Sequence, residues 1–415
     1  MRATELRKLD GELKRFLAGM LHGMGRVERR EALTAYVTGL LLDGERKSIE
    51  PMAARLVDDA SEIESMRQRL QQAVVVADWP DEELRRRLAL KLNADLPDLE
   101  AFVVDDTGFR KKGVHSVGVS RQWSGTLGHV DNCQVAVSLH IAGENASGCI
   151  AMRLFLPESW IEQPDRRARV GVPPELEFRK KWEIALTEID DAIRWGIRHD
   201  MVLADAGYGD ASEFRRELRK RGLNYAVQVQ GKYRVWPPGV VPRPPLNPPG
   251  QVGRPRTYWV GKEEPRKIAN VALEIPRSAY RTVNWRGKRD RTRSSRFAAV
   301  WVHPAENHQG LGGAREPAEA QWLLCQWLEG DRAPAKFWLI TLRKDTSLKE
   351  LVRIVKLRWR IERDYQELKQ ELGLDHYEGR TWRGFHHHAT LCAMAHGFLA
   401  LRRSLFPPVP WVDAA

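Results

Sequence analysis

The sequence predicts an α/β chain: a mixed sheet flanked by helices, led by a helical segment and interrupted by a β-rich stretch. Three observations carry this. Residues 1–97 show helical spacing and no strand pattern. From residue 100, short apolar runs and amphipathic helices follow the order β-β-β-α-β-α-β. Between 231 and 345, prolines and further β-like runs displace the helices. A length of 415 residues leaves room for two to three domains and a sizeable core.

The elements can be justified in order. EALTAYVTGLLL (31–42) has helical spacing; IEPMAARL (49–56) follows a Gly-containing turn, and IESMRQRLQQAVVVA (63–77) continues the series. Trp79-Pro80-Asp81 starts another helix, with Asp81, Glu82 and Glu83 matching the positive end of its dipole. Short helices joined by tight turns fit a helix-turn-helix-like module or a plain bundle packed on the next domain. EAFVVDDTGF then reads as a strand ending in two acids and a turn. QVAVSLHIAG (134–143) and GCIAMRLFLP (148–157) form a predicted hairpin. A charged amphipathic helix spans about 175–197. MVLADAGYG (201–209) repeats the strand-acid-turn design, and EFRRELRKRGL and YAVQVQ add a helix and a strand. Eight of the 23 prolines fall between 237 and 255, a linker or irregular arm. TYWVG, KIANVALEI, RFAAVWVHP and KFWLITL read as β runs around a basic loop at 282–296. Helices at 347–372 and about 384–404 complete the chain. The resulting domain scheme is 1–97, 98–230, 231–345 and 346–415.

Composition narrows the function classes. No run of about 18 apolar residues exists, so a transmembrane helix is excluded, and the first 20 residues hold no signal-like apolar core. Four scattered cysteines supply neither a zinc knuckle nor a disulfide framework, so a reduced cytoplasmic protein is expected. A net charge of +12 points to a polyanionic partner, most often nucleic acid. Arginine dominates the cations, which suits bidentate phosphate contacts, although a GC-rich genome inflates arginine as well. Walker-type phosphate loops are absent, so no ATP-dependent step is expected.

Three acids stand out by context. Asp105 and Asp205 each end a predicted strand, and Glu362 lies in the long C-terminal helix amid Arg358, Trp359, Arg360 and Arg363. Strand-end acids project from the carboxyl edge of a sheet, where α/β sites usually lie. Hard oxygen ligands suit Mg²⁺, and a pair of such ions serves in-line phosphoryl displacement. A strand-end Asp also serves as a turn residue or helix cap, and a Glu among arginines as a surface ion pair.

The segment around Glu362 resembles the Y-R-E-K signature of bacterial insertion-sequence DDE transposases. Arg358, Glu362 and Lys369 fall at its spacings, and Val355 stands where that signature has Tyr. VVDDTG resembles the family's first Asp region and LADAGY its second. The resemblance therefore implies Asp105, Asp205 and Glu362 as catalytic metal ligands, with Asp106 the competitor for the first position, since adjacent strand residues face opposite ways. GFRKKGVHSVGV and DNCQVAVSLH look similar to the same superfamily. It further implies an RNase H-like core split by a β-rich insertion, a helical N-terminal DNA-binding domain, and two Mg²⁺ ions with Mn²⁺ as a substitute. Its partners would be double-stranded DNA, as transposon ends and target, and a second copy of the chain in the DNA complex. The protein would then work in the bacterial cytoplasm at the nucleoid.

On a regular helix Arg358 shares a face with Glu362 and Lys369 stays near it, so both are expected at the phosphate. Arg110, Lys111 and Lys112, with Arg121, form a basic loop after Asp105 and are candidate DNA contacts. Trp123, Trp285 and Trp359 are candidate base-stacking residues. His386, His387 and His388 are consecutive, point different ways on a helix and do not make a three-ligand site. Two other readings stand beside the transposase: an RNase H-like endonuclease without strand transfer, and a domesticated DNA-binding protein without catalysis.

Overall fold

The computed structural model describes residues 3–246, 259–286, 292–305 and 318–405. Five helices open the chain: α1 (Ala3–Leu21), α2 (Val27–Leu41), α3 (Ile49–Leu56), α4 (Ile63–Gln71) and α5 (Asp81–Asp95). Strands β1 (Leu99–Arg110), β2 (Ser120–Ser124), β3 (His129–Gly143) and β4 (Ser147–Leu154) follow, then α6 (Glu158–Ile161), α7 (Pro164–Arg169) and α8 (Lys181–Arg194). Next come β5 (Met201–Ala204), α9 (Ala206–Gly209), α10 (Ser212–Lys220), β6 (Asn224–Val229), β7 (Arg234–Trp236), β8 (Arg266–Lys267) and α11 (Ile268–Glu274). Strands β9 (Arg281–Arg286), β10 (Thr292–Pro304), β11 (Gln321–Trp327) and β12 (Lys336–Ile340) precede α12 (Leu348–Leu357), α13 (Arg360–Gln366) and α14 (Trp382–Leu405). The fold is mixed α/β, as expected, and the chain divides into two units, Met1–His199 with Arg360–Ala415, and Asp200–Trp359.

In the first unit β3 pairs antiparallel with β1 on one side and with β2 and β4 on the other. Val103, Val104, Val135, Val137, Leu139 and Ile141 are fully buried. At about 25 cal/mol per Å² of apolar surface, such side chains are the main stabilising term. Helix α14 packs on α2, α5 and β4 and is buried on nearly every side, so its polar residues need internal partners. His386 accepts from the Leu154 amide at 3.2 Å, His387 lies between the Val74 and Trp79 carbonyls at 2.9 and 3.0 Å, and His388 meets the Tyr36 hydroxyl at 2.8 Å. The three consecutive rings go to three different elements. Burial pushes His386 down to about 3 and His388 to about 4. A buried ion cluster ties α5 to α8 and β4: Glu188 takes Arg85 at 2.8 Å and Arg153 at 2.9 Å.

In the second unit β5 and β6 are parallel, and β6, β12, β11 and β10 continue as antiparallel neighbours. Helix α10 buries Phe214 and Leu218 and turns Arg219 and Lys220 outward at its negative end.

Three local expectations change. KIANVALEI is not a strand: only Arg266–Lys267 pairs, and Ile268–Glu274 is helical, burying Ile268, Val271 and Ala272 at helical spacing. The first part of the basic loop at 282–296 is β9, hairpin-paired with β10; residues 287–291, like residues 247–258 of the proline-rich stretch, lie outside the described residues. The helix expected over 347–372 is two helices and a π-helical turn. A turn at Arg358–Trp359, closed by the Trp359 amide on the Lys356 carbonyl at 3.3 Å, separates α12 from α13, and Glu367–Glu371 is wound as a π-helix.

Candidate active site

Asp105 and Asp106 sit in β1, opposite Ser138 and Val137 of β3. Pleating sends their side chains to opposite faces of the sheet. On one face the Asp106 carboxylate holds the Lys181 ammonium of α8 at 2.9 Å, both only partly exposed. The other face carries Asp105 and is covered by α13, which packs on β1 and β4. Asp105 Oδ1 also accepts from the Asp106 amide at 2.8 Å, which orients the carboxylate.

Helix α13 is clamped to that face by polar contacts. The Tyr365 hydroxyl and Ser138 Oγ lie 2.6 Å apart, His140 Nδ1 meets Asp364 Oδ2 at 2.7 Å, and Ser147 Oγ donates to Asp364 Oδ1 at 2.7 Å. Burial raises the Tyr365 phenol well above its usual range, and the negative charge of Asp105 raises it further. Asp364 is buried, which on its own would raise its pKa; the His140 contact and the nearby His396 hold it below the usual carboxylate range. Glu362, two residues before Asp364 on α13, is exposed. Thus Asp105 and Glu362 belong to the same unit, on a strand and the helix packed across it. Sequence reasoning missed Ser138, His140, Asp364 and Tyr365. The signal was present: Ser138 and His140 are the polar breaks, two apart, in the apolar run of β3.

Asp205 belongs to the second unit. It follows β5 at the carboxyl edge of the parallel pair and caps α9, its Oδ1 accepting from the Gly207 amide at 2.9 Å. Its Oδ2 makes no hydrogen bond among the described residues. Asp210 is raised by burial and by the charge of Asp205, against the Gln230 amide hydrogen bond at 2.9 Å. The turn requires Gly209: a Cβ there would lie 1.9 Å from the Gln228 carbonyl oxygen.

The candidate cations have different environments. Lys369 Nζ donates to the Gly108 carbonyl of β1 at 2.7 Å and lies 5.0 Å from the Phe109 ring centroid; burial lowers it to about 8. The π-helical turn sets this position, because a regular helix places residue i+7 differently. Lys111 is half-buried and ties its loop to the Tyr377 carbonyl at 2.7 Å, whereas Lys112 is exposed. Arg110 is exposed and pairs with Asp131 at 2.6 Å. Arg358 caps α12 in the second unit, so it and Glu362 do not lie on one continuous helix. Trp123 is 59% exposed. Trp285 stands edge-on to Phe297 at 5.6 Å and faces the Lys356 ammonium.

The family model of the DDE superfamily endonucleases matches residues 19–294 of this chain. The chain belongs to this family. The matched span includes Asp105 and Asp205 and ends before Glu362. A curated protein from Microchaete diplosiphon, named "Probable transposase for insertion sequence element IS701", is 28% identical over 207 residues. That alignment takes in 49% of this chain and 50% of the relative, so the chain spans about half the length of the curated relative it matches. DDE endonucleases generally use divalent metal ions. Carboxylate oxygens are the donor type such an ion takes, but among the described residues no three His, Cys, Asp or Glu side chains are grouped so as to hold one. No described helix is long and apolar enough to cross a membrane.

Proposed function

We propose that this DDE endonuclease is an insertion-sequence transposase that cuts element ends and joins the freed 3′-OH to target DNA. The observation that carries the reading is the face of β1 turned to α13: Asp105 lies on that face, opposite the one on which Lys181 engages Asp106, and Glu362 lies on the covering helix. Asp105, Asp205 and Glu362 would supply the carboxylate ligands for two Mg²⁺ ions, with Mn²⁺ as a substitute. When bound, such ions polarise the scissile phosphate and activate the attacking water.

The chain's own residues do the rest. The Ser138–Tyr365, His140–Asp364 and Ser147–Asp364 contacts fix the rotation of α13 and so the direction of Glu362. The Gly207 amide orients the Asp205 carboxylate. Lys369 and Arg358 would offset phosphate charge, and Arg110, Lys111 and Lys112 would grip the duplex beside the cut. In the first step water attacks the phosphorus at the element end and the 3′ oxygen leaves as a hydroxyl. In the second, that hydroxyl attacks target DNA and displaces its 3′ oxygen. Around this chemistry we assign an RNase H-like core with a β-rich insertion, N-terminal helices that bind DNA, and two copies of the chain holding paired ends.

The test supplies uncut element ends and, separately, pre-cut ends, with target plasmid and Mg²⁺, to the purified protein. Joined product is expected, and Asp205→Ala or Glu362→Ala should abolish both cutting and joining. Cutting without joining would leave an endonuclease. Cutting by either variant would overturn the assignment.

A further inference from the structure

In the first unit, β1 carries Asp105 and α13 carries Glu362, two segments far apart in sequence. Contacts to Ser138, His140 and Ser147 hold α13 to β3 and β4. Two lysines tie the stretch that follows α13 to β1 and the loop leaving it. Lys369, in the π-helical turn, donates to the Gly108 carbonyl of β1 at 2.7 Å. Lys111, the first residue after β1, donates to the Tyr377 carbonyl at 2.7 Å. Each segment thus supplies an ammonium that holds the backbone of the other.

Both bonds are sheltered from water. Burial lowers Lys111, against the charges of Glu378 and Asp375, just as it lowers Lys369 against Asp375. A hydrogen bond made in such a setting is stronger than its counterpart in solvent. The backbone around each end is also fixed. Asn132 Nδ2 donates to the Lys111 and Gly113 carbonyls at 2.6 and 3.0 Å, and the Val117 amide donates to the Arg380 carbonyl at 3.0 Å. The Tyr377 ring is buried and stacked on His388, with centroids 5.1 Å apart. Lys111 therefore grips a rigid partner from a held loop.

A lysine that meets DNA needs the opposite arrangement. Its stem lies along the protein and its ammonium stays in water, open to a phosphate. Lys112 is exposed in this way, whereas the Lys111 ammonium is committed to a carbonyl inside the protein. We propose that Lys111 is a positioning residue: with Lys369 it clasps the end of β1 to the segment after α13, and so holds Asp105 in place relative to Glu362. Among the cations assigned to the duplex, Lys111 acts through the loop it orders and not through a phosphate of its own. That the clasped geometry serves cleavage rests on the transposase reading; the clasp itself does not.

Amine footprinting of the unmodified full chain tests the clasp and needs no variant to fold. With an N-hydroxysuccinimide acetate reagent, Lys111 should be acetylated several-fold more slowly than Lys112, and duplex DNA should leave the Lys111 rate unchanged. Labelling of Lys111 as fast as Lys112, or its protection by duplex, would overturn the proposal. Lys111→Met then keeps most of the stem and removes the donor. Its binding to a duplex element end in EDTA should keep the wild-type log–log salt slope, whereas loss of a phosphate contact would flatten that slope by about 0.9. In single-turnover cleavage with Mg²⁺ at saturating duplex, the rate constant should fall about 10- to 100-fold, as for misplaced reacting groups, with the half-saturating concentration unchanged. A flattened slope with an unchanged rate constant marks a phosphate contact and overturns the proposal. A loss of amplitude alone marks a merely structural role and overturns it too. Absence of cleavage by the wild-type protein, with Lys111 still shielded from acetylation, counts against the transposase reading and not against the clasp.

Discussion

Asp105→Asn and Asp106→Asn remove neighbouring charges and should have opposite consequences. In the second variant Lys181 loses its partner at 2.9 Å. The two side chains are 29% and 17% exposed, so the ammonium recovers only part of its hydration. Its cost lies between that of an exposed pair, about 0.2–1 kcal/mol, and that of a broken buried pair, about 3–5 kcal/mol; about 1–2 kcal/mol is reasonable. For a unit of this size that is a Tm loss of about 2–8 °C. Asp105→Asn leaves the Lys181 pair intact, while cleavage should fall about 10²- to 10³-fold through loss of the proposed ligand oxygen. Differential scanning fluorimetry with and without Mg²⁺, beside a plasmid-nicking assay, reads both effects. Loss of cleavage in Asp106→Asn at unchanged Tm, with Asp105→Asn still cutting, would refute the assignment of the two faces of β1.

Three more outcomes follow from the same structure. Gly209→Ala would put a Cβ 1.9 Å from the Gln228 oxygen, so the turn carrying Asp205 must move; a Tm loss of several degrees or insoluble protein is expected, with cleavage lost, on expression and melting. Lys356 is lowered to about 7 from 10.5, by burial first and then by Lys336, Arg358 and Arg293. Between these values the unfolded chain binds the extra proton, so wild-type stability rises with pH through that window. Lys356→Met should raise Tm at pH 7 and lose most of that advantage by pH 10.5, as melting curves across pH will show. Glu367 is held low: burial opposes this, but the His396 ring 3.2 Å away and hydrogen bonds from Arg403 prevail. A depressed carboxylate stabilises above its unfolded pKa and loses that contribution progressively as pH falls below about 4.5, so Glu367→Gln should be less stable at pH 7 and the gap to wild type should narrow steadily below pH 4.5 in acid unfolding.

What was legible in the sequence was what period and punctuation encode. The apolar run before Asp105, the hairpin of β3 and β4, the strand ending at Asp205 and the acids opening α5 all follow from local pattern. Ion pairs between distant residues were not legible. Nothing near Asp106 announces Lys181, so only the fold separates the two adjacent acids. The turn at Arg358–Trp359 was also hidden, because Arg, Trp and Ile are tolerated inside helices and no Gly or Pro marks the break. KIANVALEI misled because its apolar residues satisfy both strand and helix periods over a short run. Burial of three histidines in α14 is likewise invisible locally, since their partners from other elements are a backbone amide, carbonyls and a tyrosine.

The first unit is assembled from two stretches of chain, with Asp200–Trp359 inserted between them. A ribosome therefore delivers the sheet bearing Asp105 long before it delivers α13 and α14. Until Arg360–Leu405 has emerged, Ser138, His140 and the apolar face of β4 have no cover, and Glu362 does not exist. A product terminated before Arg360 would carry Asp105 and Asp205 yet lack both Glu362 and the helices that complete the first core. On the proposed role of Glu362, nuclease competence is thus tied to translation through Arg360–Leu405, so copies of the gene truncated before that stretch should yield unstable, inactive protein rather than an unregulated DNA-cutting fragment.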